Sequence, residues 1–269
     1  MKRSFKQSLL MLMAVIAAGT AQAHDPIFGV GPHVLFKQGV ETALELESSE
    51  AGDASEQTIA FHGSYGITGD WAVGVELPYQ FVDENGNSEN GNGDIALQTK
   101  YRFWREDSLG LQESAAVLLK VVTDSANRAL SKGTTDTILG LTYGYEGRSW
   151  YRWASARYRF NGKNGAGVDR GDKILLDFVA GWRPVLTSYR QPDTVWLLEL
   201  NGELGQKAEL GGVALSNTGG SEWFVSPGIF WTKRNFAIKA GLQIPLVDNL
   251  NGSQAASDYR ARASFEWHF

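Results

Sequence analysis

The sequence predicts an all-β fold: an antiparallel up-and-down transmembrane β-barrel of about twelve strands, preceded by a cleaved signal peptide. Three observations lead there. Hydropathy alternates with a period of two along most of the chain, long and short connections alternate, and the tryptophans gather near one end of the strands.

Lys2, Arg3 and Lys6 form a positive region, Leu9 to Ala18 an apolar one, and Ala21-Gln22-Ala23 a small-x-small cleavage site. Residues 1–23 therefore read as a secretory signal peptide, with His24 as the first mature residue. Removing three lysine and arginine charges takes the formal net charge from −5 to −8. That acidic balance argues against nucleic acid as a partner. The absence of cysteine excludes disulfides, thiolate metal sites and a lipoprotein anchor. No later stretch approaches the roughly 18 consecutive apolar residues of a membrane-spanning helix, which excludes a helical membrane protein. Residues 24–39 form a Pro/Gly-rich arm in which Phe28, Val34, Leu35 and Phe36 offer something to bury. We expect it to tuck into the barrel mouth as a plug and candidate gate, with residues 40–269 forming the barrel.

Twelve segments alternate: 40–48, 56–66, 70–82, 94–104, 109–122, 135–145, 149–160, 172–183, 194–204, 221–232, 235–246 and 258–269. In the last, Tyr259, Ala261, Ala263, Phe265, Trp267 and Phe269 share one parity, and Arg260, Arg262, Ser264, Glu266 and His268 the other. Successive strand residues point to opposite faces, so each segment has one apolar and one polar side. Connections after odd-numbered segments are long and rich in Gly, Asn, Asp and Ser (83–93, 123–134, 161–171, 205–220, 247–257). Those after even-numbered segments are mostly short, with 184–193 the exception. Bacterial outer-membrane barrels have this pattern, with long outer loops and tight periplasmic turns. With both ends periplasmic, Trp71, Trp104, Trp150, Trp182, Trp196, Trp231 and Trp267 fall near one membrane level. An indole, apolar with one polar N–H, suits the boundary between hydrocarbon and water. The closing aromatic Phe269 resembles the C-terminal signal that the barrel-assembly machinery reads.

A closed sheet pairs every backbone group internally, so the apolar parity is expected to face lipid and the polar parity the lumen. The expected lumen-lining residues are Glu41, Glu45, Glu47, Glu76, Lys100, Arg102, Lys120, Arg157, Arg159, Lys173, Asp177, Arg183, Glu199, Glu203, Lys239, Arg260, Arg262 and Glu266. These charges form either an eyelet that selects small solutes or a salt-bridged filling that holds a narrow barrel shut.

The run GNGDIALQTKYRF (91–103) is a glycine-rich loop followed by Gly-Asp and a strand ending Lys-Tyr-Arg-Phe. With GITGDWAVGVELPY (66–79) and RYRFNG (157–162), it resembles the outer-membrane transporters grouped as the MetA-pathway of phenol degradation family. The resemblance implies a twelve-stranded barrel linked to passage of small molecules, aromatic ones among them, and supplies no catalytic residue. Where the family carries Pro-Thr-Gly after the fifth strand, this chain reads KVVTDSANRA (120–129).

Three other patterns carry chemistry. His62-Gly63-Ser64-Tyr65-Gly66 matches the His-x-Ser-x-Gly of the outer-membrane phospholipase, although both side chains fall on the lumen parity. His24, as an amino-terminal histidine, and His33 are candidate copper ligands, against the plain reading of a cleavage junction followed by a Pro/Gly-rich arm. Asp83, Asn85, Asn87 and Asp94 have the spacing of a calcium loop, against a solvated Asn/Gly loop. The sequence is thus read as a bacterial outer-membrane channel or transporter for passive passage of small solutes, without enzymatic activity or a cofactor. A non-conducting barrel with a metal-linked binding role, and a phospholipase-like hydrolase, are the rival readings.

Overall fold

A computed structural model describes residues 25–127, 130–188 and 190–269. The expected signal peptide and His24 lie outside the described residues. Twelve long strands make the wall: β1 (Val40–Ala51), β2 (Ala54–Gly66), β3 (Trp71–Glu84), β4 (Ala96–Ser108), β5 (Leu111–Val122) and β6 (Asp136–Gly147). They continue as β7 (Trp150–Phe160), β8 (Lys173–Trp182), β9 (Asp193–Gly205), β10 (Gly220–Lys233), β11 (Phe236–Leu250) and β12 (Tyr259–His268). Each pairs antiparallel with its neighbours in chain order, and β1 pairs with β12 from Glu41↔His268 to Glu50↔Tyr259. The sheet therefore closes on itself and leaves no edge in the wall, the condition for strands to cross lipid.

The alternation resolves into two faces. Leu44, Leu46, Phe61, Leu77, Leu97, Leu141, Phe178 and Leu198 are large, apolar and exposed, each on the outward parity of its strand. A face this apolar around a whole cylinder fits hydrocarbon, not water. Trp71, Trp150, Trp182, Trp196 and Trp267 are also exposed, near the strand ends where the tight turns lie. The barrel thus sits in a bacterial outer membrane.

The outer connections depart from the expected open loops. β1 and β2 meet at a two-residue turn, Gly52-Asp53. β3 continues into a hairpin, with residues 87–92 pairing back onto Tyr79 to Glu84. Its turn is Asn85-Gly86, with φ of 54° and 80°, the positive pair that a two-residue type I′ hairpin needs. This overturns the calcium-loop reading. Asp83 accepts a bond from Ser88 within the hairpin, whereas Asp94 turns away to the backbone N–H groups of Ser125 (2.9 Å) and Ala126 (2.8 Å). Two other loops join through a small sheet of residues 168–169, 209–210 and 213–214.

Candidate functional site: a charged lumen and the arm inside it

Pro26, Gly29, Gly31, Pro32 and Gly39 keep the arm out of helix or strand. It fills part of the cylinder instead. Phe36 lies against Gly66, where an added Cβ would stand 2.0 Å from the Phe36 carbonyl oxygen. From there the chain rises past Glu146 and Thr142, whose hydroxyl donates to the Val30 carbonyl at 2.7 Å. At its crest the N–H groups of Ile27, Phe28 and Gly29 converge on the Glu199 carboxylate at 2.6, 3.1 and 2.9 Å. Glu199 is 1% exposed, so three donors satisfy a carboxylate that would otherwise be stranded in a dry interior. The chain then returns to Asp25, which pairs with Lys100 at 3.2 Å.

The wall makes room for this crest with glycine. Gly228 of β10 is the direct partner of Gly241 of β11, and a Cβ on Gly228 would stand 2.3 Å from Ile27 Cδ1. Ile27 packs there with inward Tyr151, Trp153, Val179, Val195, Leu197, Phe230 and Ala237. Interior positions of β7 to β11 are therefore substantially apolar, a departure from the expected polar parity. Protein covers them, and no hydrocarbon is needed.

The sequence-predicted charges meet one another and the arm. Lys120 pairs with Glu76 at 2.5 Å, Arg157 with Asp177 at 2.7 Å, Arg159 with Asp136 at 2.5 Å and Lys239 with Glu266 at 2.7 Å. Arg102 holds Asp70 at 2.7 Å beside the β2–β3 turn, and Arg183 pairs with Asp193. Glu203 receives both Arg260 and Lys173, the latter at 3.4 Å. Arg262 holds Glu47, lies 3.7 Å from Glu45, donates to the Ile27 carbonyl at 2.8 Å and covers the Phe28 ring at 5.4 Å. Asp136, Asp193 and Glu146, the partners of Arg159, Arg183 and His33, were not among the expected lining residues. Each sits at or near a strand end, where alternation assigns a face least clearly.

Space remains beside the arm. A 470 Å³ cavity at the tight-turn end, lined by Arg102, Tyr151, Arg183 and His268, shares His33, Val34 and Leu35 with a 450 Å³ cavity. That second cavity runs along Glu41, Glu45, His62, Glu76, Lys100 and Lys120. It shares Phe28, Glu47, Arg157 and Arg262 with a third, of 290 Å³, which continues to Glu56, Glu203 and Arg260. The three follow one another past the crest of the arm, and the residues common to the last two mark its side.

His33 faces the Glu146 carboxylate. Burial by itself would lower the imidazole pKa, but the charge and hydrogen bond of Glu146 outweigh it and leave the net shift upward. An imidazole so engaged is an ion-pair partner, which weighs against its reading as a copper ligand. Asp25 is penalised by burial yet held below its ordinary range by Lys100, His33 and Lys239. His62 lies 3.6 Å from Glu45 and 4.0 Å from Glu76. Both ring nitrogens are thus turned to carboxylates, Nε2 to Glu45 and Nδ1 to Glu76, which leaves neither to act as base for Ser64.

Comparison with known proteins agrees with the architecture. An outer membrane channel from Pseudomonas putida F1 superposes with a TM-score of 0.68 at 12% identity, covering 92% of this chain and 100% of that one. The NanC porin gives 0.52 at 11% identity, covering 84% and 98%. The β domain of the Bordetella autotransporter BrkA gives 0.50 at 12% identity, covering 86% and 99%. At such identities the likeness concerns the fold. Among curated protein sequences none matches this chain. The model of the family described as the MetA-pathway of phenol degradation matches residues 48–249, most of the barrel, and the chain therefore belongs to that family.

Proposed function

We propose that this protein is a passive outer-membrane channel for small solutes, aromatic compounds among them, in which the arm narrows the lumen. The observation that carries the reading is the succession of three cavities past the arm, bordered over its middle length by Glu41, Glu45, Glu47, Glu76, Lys100, Lys120 and Arg262. Charges of both signs on that wall screen solutes by charge, and the flank of Phe28 by size. The family and the neighbours' use of the same fold for passage support the reading. We further propose that the outward aromatics of β12, ending at Phe269, are what the barrel-assembly machinery engages.

The test is electrical. Protein reconstituted in planar bilayers should give discrete conductance steps, and removal of residues 25–36 should enlarge them several-fold. Silent bilayers from both forms would overturn the reading. Uptake of phenol and benzoate into loaded liposomes then addresses the aromatic cargo, and influx equal to that of protein-free liposomes would remove it.

A further inference from the structure

The outer wall carries a feature that passage of solute does not use. On β7 the outward residues run Trp150, Arg152, Ala154, Ala156 and Tyr158. Both neighbouring strands set large side chains beside the two alanines. Tyr143 of β6 and Phe178 of β8 flank Ala154, while Leu141 and Leu176 flank Ala156. A furrow results over the two alanines, with one hollow beside Ala154 and a separate one beside Ala156. The first, of 480 Å³, is bordered by Arg152, Ala154, Phe178 and Ala180 and extends across the wall to Leu198, Leu200 and Val225. The second, of 370 Å³, is bordered by Leu141, Ala156, Tyr158 and Ile174.

At the periplasmic end of the furrow stands an arginine on the lipid side. Arg152 is one pleat from Trp150, at the level where headgroups meet hydrocarbon. Its guanidinium lies 5.5 Å from the centroid of the Tyr145 ring. No ion pair joins it to a carboxylate among the described residues. Glu113, the strand partner of Tyr145, is engaged by the Tyr143 hydroxyl. An outward cation on a barrel is costly in proportion to its depth, and a planar guanidinium pairs well with phosphate oxygens. From Arg152 to Tyr158 the strand extends about 20 Å at about 3.3 Å per residue. One leaflet of hydrocarbon is about 15 Å deep, which a strand tilted by about 45° crosses in a similar length.

We propose that this furrow seats one phospholipid of the periplasmic leaflet, its phosphodiester on Arg152 and one acyl chain along Ala154 and Ala156. Charge complementarity at one end and a leaflet-length apolar trough beyond it select this occupant over a second copy of the chain.

Native mass spectrometry of the full-length mature protein, titrated with dioleoylphosphatidylglycerol or with dioleoylglycerol, tests it. The expected result is one tightly retained phosphatidylglycerol per chain, and retention of the phosphate-free lipid lower by roughly tenfold. Arg152→Gln should lose a similar factor, Arg152→Lys less, and Ala154→Leu with Ala156→Leu should abolish the tight site. Heat-modifiable migration in gels checks that each variant is a closed barrel. Equal retention of the two lipids, or unchanged retention by folded Arg152→Gln, would overturn the proposal. So would a dimer mass that the alanine replacements reduce to monomer. Bilayer currents are expected to be indifferent to Arg152→Gln, so failure here leaves the channel reading intact.

Discussion

The two sides of the lumen are built on opposite principles. The β7–β11 side presents Trp153, Val179, Val195, Leu197 and Phe230 inward, and the arm packs on it through Ile27. The β1–β5 side presents Glu45, Glu47, His62, Glu76, Lys100 and Lys120, and it borders the open space. Both belong to one sheet with one alternating pattern. The difference is greatest where Ile27 packs on the apolar patch; beyond that patch Arg157 and Glu203 of the β7–β11 side border open space as well. Apolar inward residues and paired glycines thus mark where the arm packs, and paired charges border the space that remains.

The sharpest way to break this contrast is at Glu199. Replacing it by alanine strands three backbone donors in a buried site, at about 1–3 kcal/mol for each group left unsatisfied. Glu199→Ala should free the crest of the arm and raise single-channel conductance toward that of the arm-deleted protein. Wild-type conductance in a folded variant would mean that the arm is held elsewhere.

Gly228→Val comes next. The new side chain collides with Ile27, and overpacking of this kind costs about 1–3 kcal/mol. Proteolysis of the arm should accelerate in Gly228→Val, and Ile27→Ala in the same chain should restore the original rate. Acceleration that Ile27→Ala fails to rescue would show wall damage and would remove the socket.

A change on the charged side should act differently. Lys120→Gln leaves Glu76 without its ammonium partner, so reversal potentials in a salt gradient should move toward cation preference with conductance little altered. A large rise in conductance with unchanged selectivity would erase the distinction between the two sides.

The smallest effect concerns pH. The His33 pKa is raised above the ordinary histidine value of 6.5, so its contribution to holding the arm is complete below pH 6.5 and fades as pH rises through the folded value. Open probability should therefore increase modestly on going alkaline, and His33→Ala should flatten that profile. An increase toward acid instead would contradict the sign.

The wall was legible from residues because a period of two in a closed sheet leaves little freedom: if Leu44 faces lipid, so does Leu46. The tryptophans at 71, 150, 182, 196 and 267 followed for the same reason, since their positions near strand ends are a matter of counting. Trp153 and Tyr151 were harder. Their parity opposes that of Trp150, and composition does not tell an aromatic buried by protein from one bathed in lipid. The Asn85-Gly86 turn was written in the chain, but its Asp and Asn spacing read as a solvated loop or, less well, a calcium loop, and the pairing of 87–92 made it a hairpin.

Sequence by itself determined the class, the number of wall strands, their faces and the family, because each rests on local periodicity or contiguous motifs. Tertiary structure alone decided what occupies the lumen. Ile27 and Glu199 lie 172 positions apart, and nothing in either neighbourhood announces the other. Their meeting depends on the arm's path and on the gap that Gly228 and Gly241 leave when β10 and β11 align. The same holds for Arg152 and its furrow, since two alanines become a trough only when Tyr143 and Phe178 flank the first and Leu141 and Leu176 the second.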